Sequence, residues 1–461
     1  MAWSGRTAHE TNSITEGIIW KQLLIFFFPI LLGTFFQQLY NTADAIIVGK
    51  YVGKEALAAV GGATGVLINL LVGFFTGLSS GATVLISQYF GARRDRDVGE
   101  TVHTAIALSL LGGVVITVLG EVFAPAVLRL MGTPEDIMGH ALTYIRIYFG
   151  GVVFSLIYNI GSGILRAIGD SRRPLFFLIA ACMTNIVLDV ILVTGFDMGV
   201  GGAAVATLFS QGVSAVLVVV TLCRSPFSYQ LFPKKVRLHP HQLSGILRIG
   251  FPAGIQSVMY SLSNVIIQSS VNGFGTDTVA AWTAFGKLDG LFWMTVSAFG
   301  VSVTTFAGQN FGARRYDRMK RSVWTCLGMA AATTFVLAGV LMGFGRYVLH
   351  AFADDPKVIE IGLEILFFLA PTWCLYLCIE IFSGALRGAG DAFIPTMFTL
   401  FGVCLMRVVW LCFVAPQFNS LKMVLTSYPL TWCLTSVLFV AYYLRGRWLR
   451  RCMKKAGHEI A

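Results

Sequence analysis

The chain has 461 residues, of which only 12% are Asp, Glu, Lys or Arg, half of the roughly 25% usual in a soluble domain. Hydrophobic residues make up 56% and aromatic residues 13%, and the mean hydropathy is +0.74; such a balance cannot clothe water-exposed globules and requires a lipid-facing surface. An ordinary soluble enzyme is excluded, and the formal net charge of +11 says nothing about nucleic acid until the positions of the Lys and Arg residues are known.

Apolar stretches of about 20 residues or more, long enough to cross roughly 30 Å of hydrocarbon, recur along the chain. They predict an all-α integral membrane protein with twelve transmembrane helices, at 23–48, 57–88, 102–128, 140–165, 174–195, 202–223, 246–273, 279–308, 323–345, 358–385, 394–415 and 424–444. The first 20 residues are polar and the run behind them is too long for a signal peptide, so it reads as a first span. Basic residues are retained on the cytoplasmic side. The amino terminus and every second loop hold 25 of the 34 Lys and Arg, from Arg6 and Lys21 to the run Arg445–Lys455, whereas the opposite side holds only Lys50, Lys54, Arg129, Arg346, Lys357 and Lys422. Both termini are therefore expected in the cytoplasm of a bacterial cell, with the protein in its inner membrane. The positive charge thus sets topology, and no nucleic-acid partner is expected.

The two halves repeat. Phe90-Gly-Ala-Arg-Arg94 returns as Phe311-Gly-Ala-Arg-Arg315, and Ser162-Gly-x-Leu-Arg-x-x-Gly-Asp170 returns as Ser383-Gly-x-Leu-Arg-x-x-Gly-Asp391, both 221 residues later; Phe28-Pro29 matches Phe251-Pro252 at an offset of 223. A six-span unit has been duplicated, and because six is even the copies share one orientation in the membrane. The expected organisation is a six-helix lobe at 1–223, a cytoplasmic linker at 224–242 with Pro226, Pro233 and Pro240, a second lobe at 243–445 and a basic tail at 446–461, with the linker against anionic lipid head groups. One chain already supplies both bundles, so it is expected to act as a monomer. The motifs themselves read as turn and helix-end chemistry. Pro29 and Pro252 differ, because each removes an amide donor inside a span and so marks a hinge.

A charged side chain at mid-membrane costs about 2.5 to 3.5 kcal/mol, so each one is a functional candidate. Gln37, Tyr40, Asn41 and Asp44 fall on one helical face, and Asn185 and Asp189 share another. An Asn and an Asp so stacked can offer oxygens to a proton or a small hard cation. The alternative for Asp44 is an interfacial charge near the outer end of its span, and for Asp189 half of a buried salt bridge. In the second half Lys287, Asp289, Glu380 and Arg407 are intramembrane and could pair with one another between helices. Arg146 and Glu121 fall nearer a membrane face, and His103 at the start of its span. The nine Cys form no C-x-x-C pair and none of the seven His joins a metal set. The closest run to a phosphate loop, Gly49–Lys54, is one residue short, which argues against direct ATP hydrolysis and for a secondary transporter.

Taken together, twelve spans in two halves, Pro29 followed by Gln37-Gln-Leu-Tyr-Asn-x-x-Asp44, the Gln-x-Phe-Gly-Ala segments ending at 92 and 313, and the paired Ser-Gly-x-Leu-Arg-x-x-Gly-Asp segments resemble the multidrug and toxic compound extrusion (MATE) family, over about residues 15–450. The resemblance implies a V-shaped exporter that exchanges cationic amphipathic organic compounds for H+ or Na+, with no cofactor beyond the coupling ion. It further implies a cation site, for Na+ or a proton, at Asp44, Asn185, Asp189 and Thr207, with Tyr40 and Tyr144 lining the same pocket. Gln37, Asn41, Tyr144, Lys287, Asp289, Glu380 and Arg407 would line the substrate cleft. The second half departs from the family pattern: span seven holds no acid, so coupling is expected in the amino-terminal lobe. An alternative is a flippase for a lipid-linked saccharide, which would need a basic cleft for phosphate and would draw on Lys287 and Arg407. A prenyl transferase would need an Asp-rich magnesium motif, and Asp354-Asp355 is the only adjacent pair of Asp residues.

Overall fold

A computed structural model describes residues 13–352, 355–418 and 420–458, and among these every regular element is helical. Arg6 and Asp354 lie outside the described residues. After a one-turn helix at Ser13–Glu16 come α1 (Ile19–Val52), α2 (Glu55–Gly91), α3 (Asp95–Leu130), α4 (Glu135–Ala167), α5 (Arg172–Gly195) and α6 (Gly199–Cys223). The second half holds α7 (Pro240–Asn272), α8 (Thr276–Gly312), α9 (Tyr316–His350), α10 (Pro356–Gly388), α11 (Phe393–Gln417) and α12 (Leu421–Leu444), followed by a short basic helix, α13 (Arg447–Lys455). Eleven of these, α1–α6 and α8–α12, are long and apolar enough to cross a membrane. The 33-residue α7 is as long but less apolar, because Gln256, Tyr260, Asn264 and Gln268 interrupt it at four-residue intervals.

The described chain packs as two compact units, one of residues 13–17 and Ile25–Ser257, the other of Ile18–Leu24 and 258–458. The amino-terminal half of α7 therefore belongs to the first unit, and glycines explain how it is held. A Cβ on Gly81 would stand 2.3 Å from the Ile246 carbonyl oxygen, one on Gly250 would stand 2.4 Å from that of Leu78, and one on Gly77 would stand 2.5 Å from the Gly254 nitrogen. Without side chains there, α2 and α7 touch backbone to backbone, which is how helices gain close packing where lipid supplies no hydrophobic drive. Within this unit α4 is central and packs on α2, α3 and α6; in the second unit α8 takes that place against α9 and α10.

The linker also packs on the first unit. His103 is 6% exposed; its Nδ1 donates to the Gly99 carbonyl at 2.6 Å, which leaves Nε2 to accept the Phe232 N–H at 3.1 Å, and the two rings stack. One turn further along α3, Thr104 Oγ1 accepts the His239 N–H at 3.2 Å, and Gln242 bridges Asp97 and Thr101. Five contacts thus fix the segment between the halves.

The repeated motifs close helices in the same way twice. Arg93 and Arg314 take φ of 56° and 57°, Gly169 and Gly390 φ of 97° and 93°. Amides return to carbonyls five residues back: Arg94 to Tyr89 at 2.9 Å, Arg315 to Asn310 at 2.8 Å, Asp170 to Leu165 and Asp391 to Leu386 at 2.9 Å each. This is a left-handed C-terminal cap with its six-to-one bond. α1 stays helical through Pro29, and α7 through Pro252. Among the described residues four stretches are π-helical, Val48–Val52, Val190–Gly195, Leu400–Leu405 and Trp410–Val414. Such insertions gather at functional sites; one begins directly after Asp189 and another one turn beyond Asp44.

Candidate functional site

The polar face of α1 runs from exposure to burial. Gln37 and Asn41 are exposed, Tyr40 is half-buried, and Asp44 is 6% exposed. On α5, Asn185 and Asp189 are both 0% exposed, and Thr207 of α6 is 1% exposed. Tyr40, Asp44, Asp189 and Thr207 meet inside the first unit, with Asn185 one turn before Asp189 on α5. Asp44 is close enough for its charge to act on Asp189, Tyr40 feels both, and Tyr144 of α4 feels Asp44. The Thr207 hydroxyl stands beside those of Tyr40 and Tyr144 without closing a hydrogen bond. One turn beyond Asp44 and Asp189 and one turn before Thr207, Val48, Val193 and Ala203 join Ala56, Val200 and Tyr144 in an apolar cluster that closes one end of the site.

Polar satisfaction sets this cluster apart. Asp44 Oδ1, both side-chain heteroatoms of Asn185, both carboxylate oxygens of Asp189 and Thr207 Oγ1 are buried without a hydrogen-bond partner. Buried polar atoms are paired as a rule, and an ionised carboxylate buried alone costs several kcal/mol. Among the described residues neither acid has an ion-pair partner. Asp44 is thus no surface charge and Asp189 no half of a salt bridge. Two carboxylates, an amide and a hydroxyl form a hard oxygen donor set, suited to a proton or a small cation such as Na+. Among the described residues no group of three His, Cys, Asp or Glu side chains could hold a metal ion.

The second unit contains a different arrangement. A cavity of about 420 Å³ lies among Tyr260, Trp282, Asp289, Trp293, Arg407 and Tyr428, with Asn264, Gln268 and Tyr376 also facing it. Asp289 Oδ2 accepts the Trp293 indole N–H at 2.7 Å. Arg407, 2% exposed, donates through Nη2 to Thr431 Oγ1 at 3.2 Å and lays its guanidinium 4.3 Å from the Tyr428 ring centre, a cation–π contact; its Nε has no partner. Glu380 lies off the cavity and is tied to it by hydroxyls: Tyr376 donates to Glu380 Oε2 at 3.2 Å and its oxygen lies 3.3 Å from that of Tyr260. Lys287 is exposed and does not face the cavity. Interhelical pairing of these four charges, one reading of the sequence, does not occur among the described residues. Arg146 and Glu121 do pair, at 3.6 Å, with both side chains at least 40% exposed, which leaves them a surface contact of little energetic weight.

Sequence reasoning missed Tyr260, Trp282, Trp293 and Tyr428. Aromatic residues are common in this chain, so no single one stands out. The available signal was on α7: Tyr260 and Asn264 fall 223 residues after Gln37 and Asn41, the offset of the two prolines.

The MatE family's sequence model matches residues 29–191 and again 252–413, one match to each repeat. The probable multidrug resistance protein YoeA of Bacillus subtilis is 29% identical over 443 residues, covering 94% of this chain and 95% of its own. The probable multidrug resistance protein NorM of Thermotoga maritima is 25% identical over 446 residues, covering 94% of each. Among solved structures, a MOP superfamily transporter from Pyrococcus furiosus superposes with a TM-score of 0.89 at 23% identity, over 96% of this chain and 100% of that one.

Proposed function

The chain belongs to the MatE family of membrane transporters, and from that premise we propose that it is a secondary active multidrug exporter of the bacterial inner membrane, exchanging cationic amphipathic organic compounds for H+ or Na+ at Asp44 and Asp189. The observation that carries this reading is the set of orphaned polar atoms on Asp44, Asn185, Asp189 and Thr207. A site with two buried carboxylates and no basic partner is completed by an entering cation. Asp44 and Asp189 hold its charge, Asn185 and Thr207 supply neutral oxygens, and Tyr40 and Tyr144 wall it.

Exchange follows if an organic cation and the coupling ion compete for the same carboxylates, so that arrival of one favours departure of the other. The driving force is sufficient: about 2.3 kcal/mol per charge for each 100 mV of membrane potential, and about 1.4 kcal/mol for each tenfold ion gradient. Pro29 would act as a hinge in the helix that carries Asp44, since the Ile25 carbonyl has lost its intrahelical donor, and Pro252 would do the same in α7. Topology follows the basic loops, with both termini cytoplasmic, and the basic linker and α13 meet anionic lipid. The flippase reading is less well supported, because Lys287 lies away from the cavity that holds Arg407. The test is export of a cationic dye from proteoliposomes with pH and sodium gradients imposed separately. The proposal expects one gradient to drive wild-type export and Asp44→Asn and Asp189→Asn each to abolish it; full export by both variants contradicts it.

A further inference from the structure

The segment between the two repeats is held on α3 through a histidine with room for one proton. The linker passes α3 at Gly99, where a Cβ would stand 3.3 Å from the Ser228 carbonyl oxygen. Just beyond, it is tied to the end of α6: Gln230 Nε2 donates to the Cys223 carbonyl at 2.9 Å, and the Leu231 N–H donates to that of Leu222 at 3.1 Å. The next residue, Phe232, meets His103, which is buried. His103 Nδ1 lies 2.6 Å from the Gly99 carbonyl oxygen and must carry hydrogen, because a carbonyl accepts and cannot donate. Its Nε2 lies 3.1 Å from the Phe232 nitrogen and must be bare, because a backbone N–H donates and cannot accept. Both bonds exist together in one tautomer of the neutral ring and in no other state. A second proton, on Nε2, would set two donors face to face and place a charge on a buried ring.

The charges around the ring are already engaged. On α3, Glu100 pairs with Arg96 at 2.9 Å and with His239 of the linker at 3.9 Å, and Asp97 pairs with Arg94 at 2.7 Å and accepts from Gln242 at 3.2 Å. On the linker, Arg237 lies 3.4 Å from His239, and Lys235 sets its ammonium 4.7 Å from the Phe232 ring centre, so a charged His103 stacked on that ring would add a second cation. On α2, Tyr89 is within electrostatic reach of Arg94, Asp97 and Glu100, and on α4 Tyr158 and Arg166 act on each other. Among the described residues His103 forms no ion pair. Histidine ordinarily changes charge between pH 5 and 8. Of the two here, His239 would gain from protonation through Glu100, whereas His103 would lose its bond to the linker. The bonds from the His239 N–H to Thr104 and from Thr101 to Gln242 use no imidazole nitrogen, so the change is confined to the stretch ahead of them.

We propose that His103 is a pH-sensitive latch. As the neutral ring it clasps the linker at Phe232; on acidification of the side of the membrane where the linker lies, it lets residues 225–238 lift from α3 and lengthens the free tether between the repeats. The latch depends neither on the compound exported nor on ion coupling at Asp44 and Asp189. It is tested by hydrogen–deuterium exchange of the full-length protein in lipid nanodiscs at pH 8 and pH 5.5, with labelling times scaled to the intrinsic exchange rate at each pH. Protection of the Phe232 amide should fall by about tenfold or more on acidification, while residues 240–248 at the start of α7 keep theirs. His103→Gln, whose side-chain oxygen can accept the Phe232 N–H at any pH, should protect that amide equally at both. His103→Phe, which keeps the ring stack and accepts nothing, should leave it unprotected at both, and His239→Gln should respond as the wild type does. Equal protection at the two pH values in the wild type, a pH response that survives in either His103 variant, or its loss in His239→Gln would each overturn the proposal. Should one His103 variant fail to fold, the wild type, the other variant and His239→Gln decide the matter.

Discussion

The two repeats share their turns but not their chemistry. Carrying the first unit's polar cluster onto the second by the offsets of the motifs, Asp44 meets Ile267, Asn185 meets Met406, Asp189 meets Trp410 and Thr207 meets Tyr428. Every oxygen donor of the first site is replaced by an apolar or aromatic group. Ile267 is 1% exposed, packs with Val271, Leu411 and Val424 and lines the cavity, so its position is an apolar wall and not a donor. The second unit places its charges elsewhere, Asp289 on α8 and Arg407 on α11, and surrounds them with rings. Duplication supplied two equal scaffolds; the cluster of unpartnered oxygens lies in one and the roomy aromatic cavity in the other.

If the first unit alone carries ion coupling, Asp189→Asn and Asp44→Asn should have the largest effect, reducing gradient-driven export to the level of empty vesicles, whereas Asp289→Asn should leave the dependence on the gradient in place. Next in size, Ile267→Asp should fail to create a second ion site, because it would enter the cavity that Arg407 also lines, where an arriving cation meets a fixed positive charge. Burying a carboxylate in this apolar wall should cost up to about 3 kcal/mol, less whatever Arg407 offsets, seen as a lower thermal midpoint of the purified protein. Gly250→Val should cost about 1 to 3 kcal/mol by forcing α7 off the Leu78 carbonyl; since that contact lies in the first unit, protease protection should fall there first. The smallest effect belongs to Pro29→Ala. Restoring the missing amide donor should slow export several-fold while equilibrium binding of the dye stays unchanged.

Much of this was legible in the sequence because lipid makes charge conspicuous. Asp44 and Asp189 stood out against apolar runs, and the repeat was visible in two motifs whose φ > 0 turns are the same in both copies. Apolar length alone located the helices, and α7, with its polar stripe, is the case where length and apolarity disagree. Thr207 and Tyr144 were accessible only through resemblance: a Thr or Tyr within a span carries no cost large enough to mark it, and only the fold brings them beside Asp44. Lys287 was placed in the cleft on its charge, although the turn of α8 that sets Asp289 toward the cavity leaves Lys287, two residues away, on another face. The π-helical stretches beyond Asp44 and Asp189 left no trace in periodicity, since one extra residue per turn is lost among uniformly apolar side chains. Nor could spacing reveal that Arg407 rests on Tyr428 instead of pairing with an acid.

The central claim, that the buried carboxylates of the first unit couple ion entry to export, is tested most directly by measuring dye export from proteoliposomes of wild type, Asp44→Asn, Asp189→Asn and Asp289→Asn under separately imposed pH and sodium gradients. The account predicts that a gradient of one of these ions drives export by wild type and Asp289→Asn and that neither gradient drives it in Asp44→Asn or Asp189→Asn. Gradient-driven export surviving in both first-unit variants, or lost only in Asp289→Asn, would contradict it.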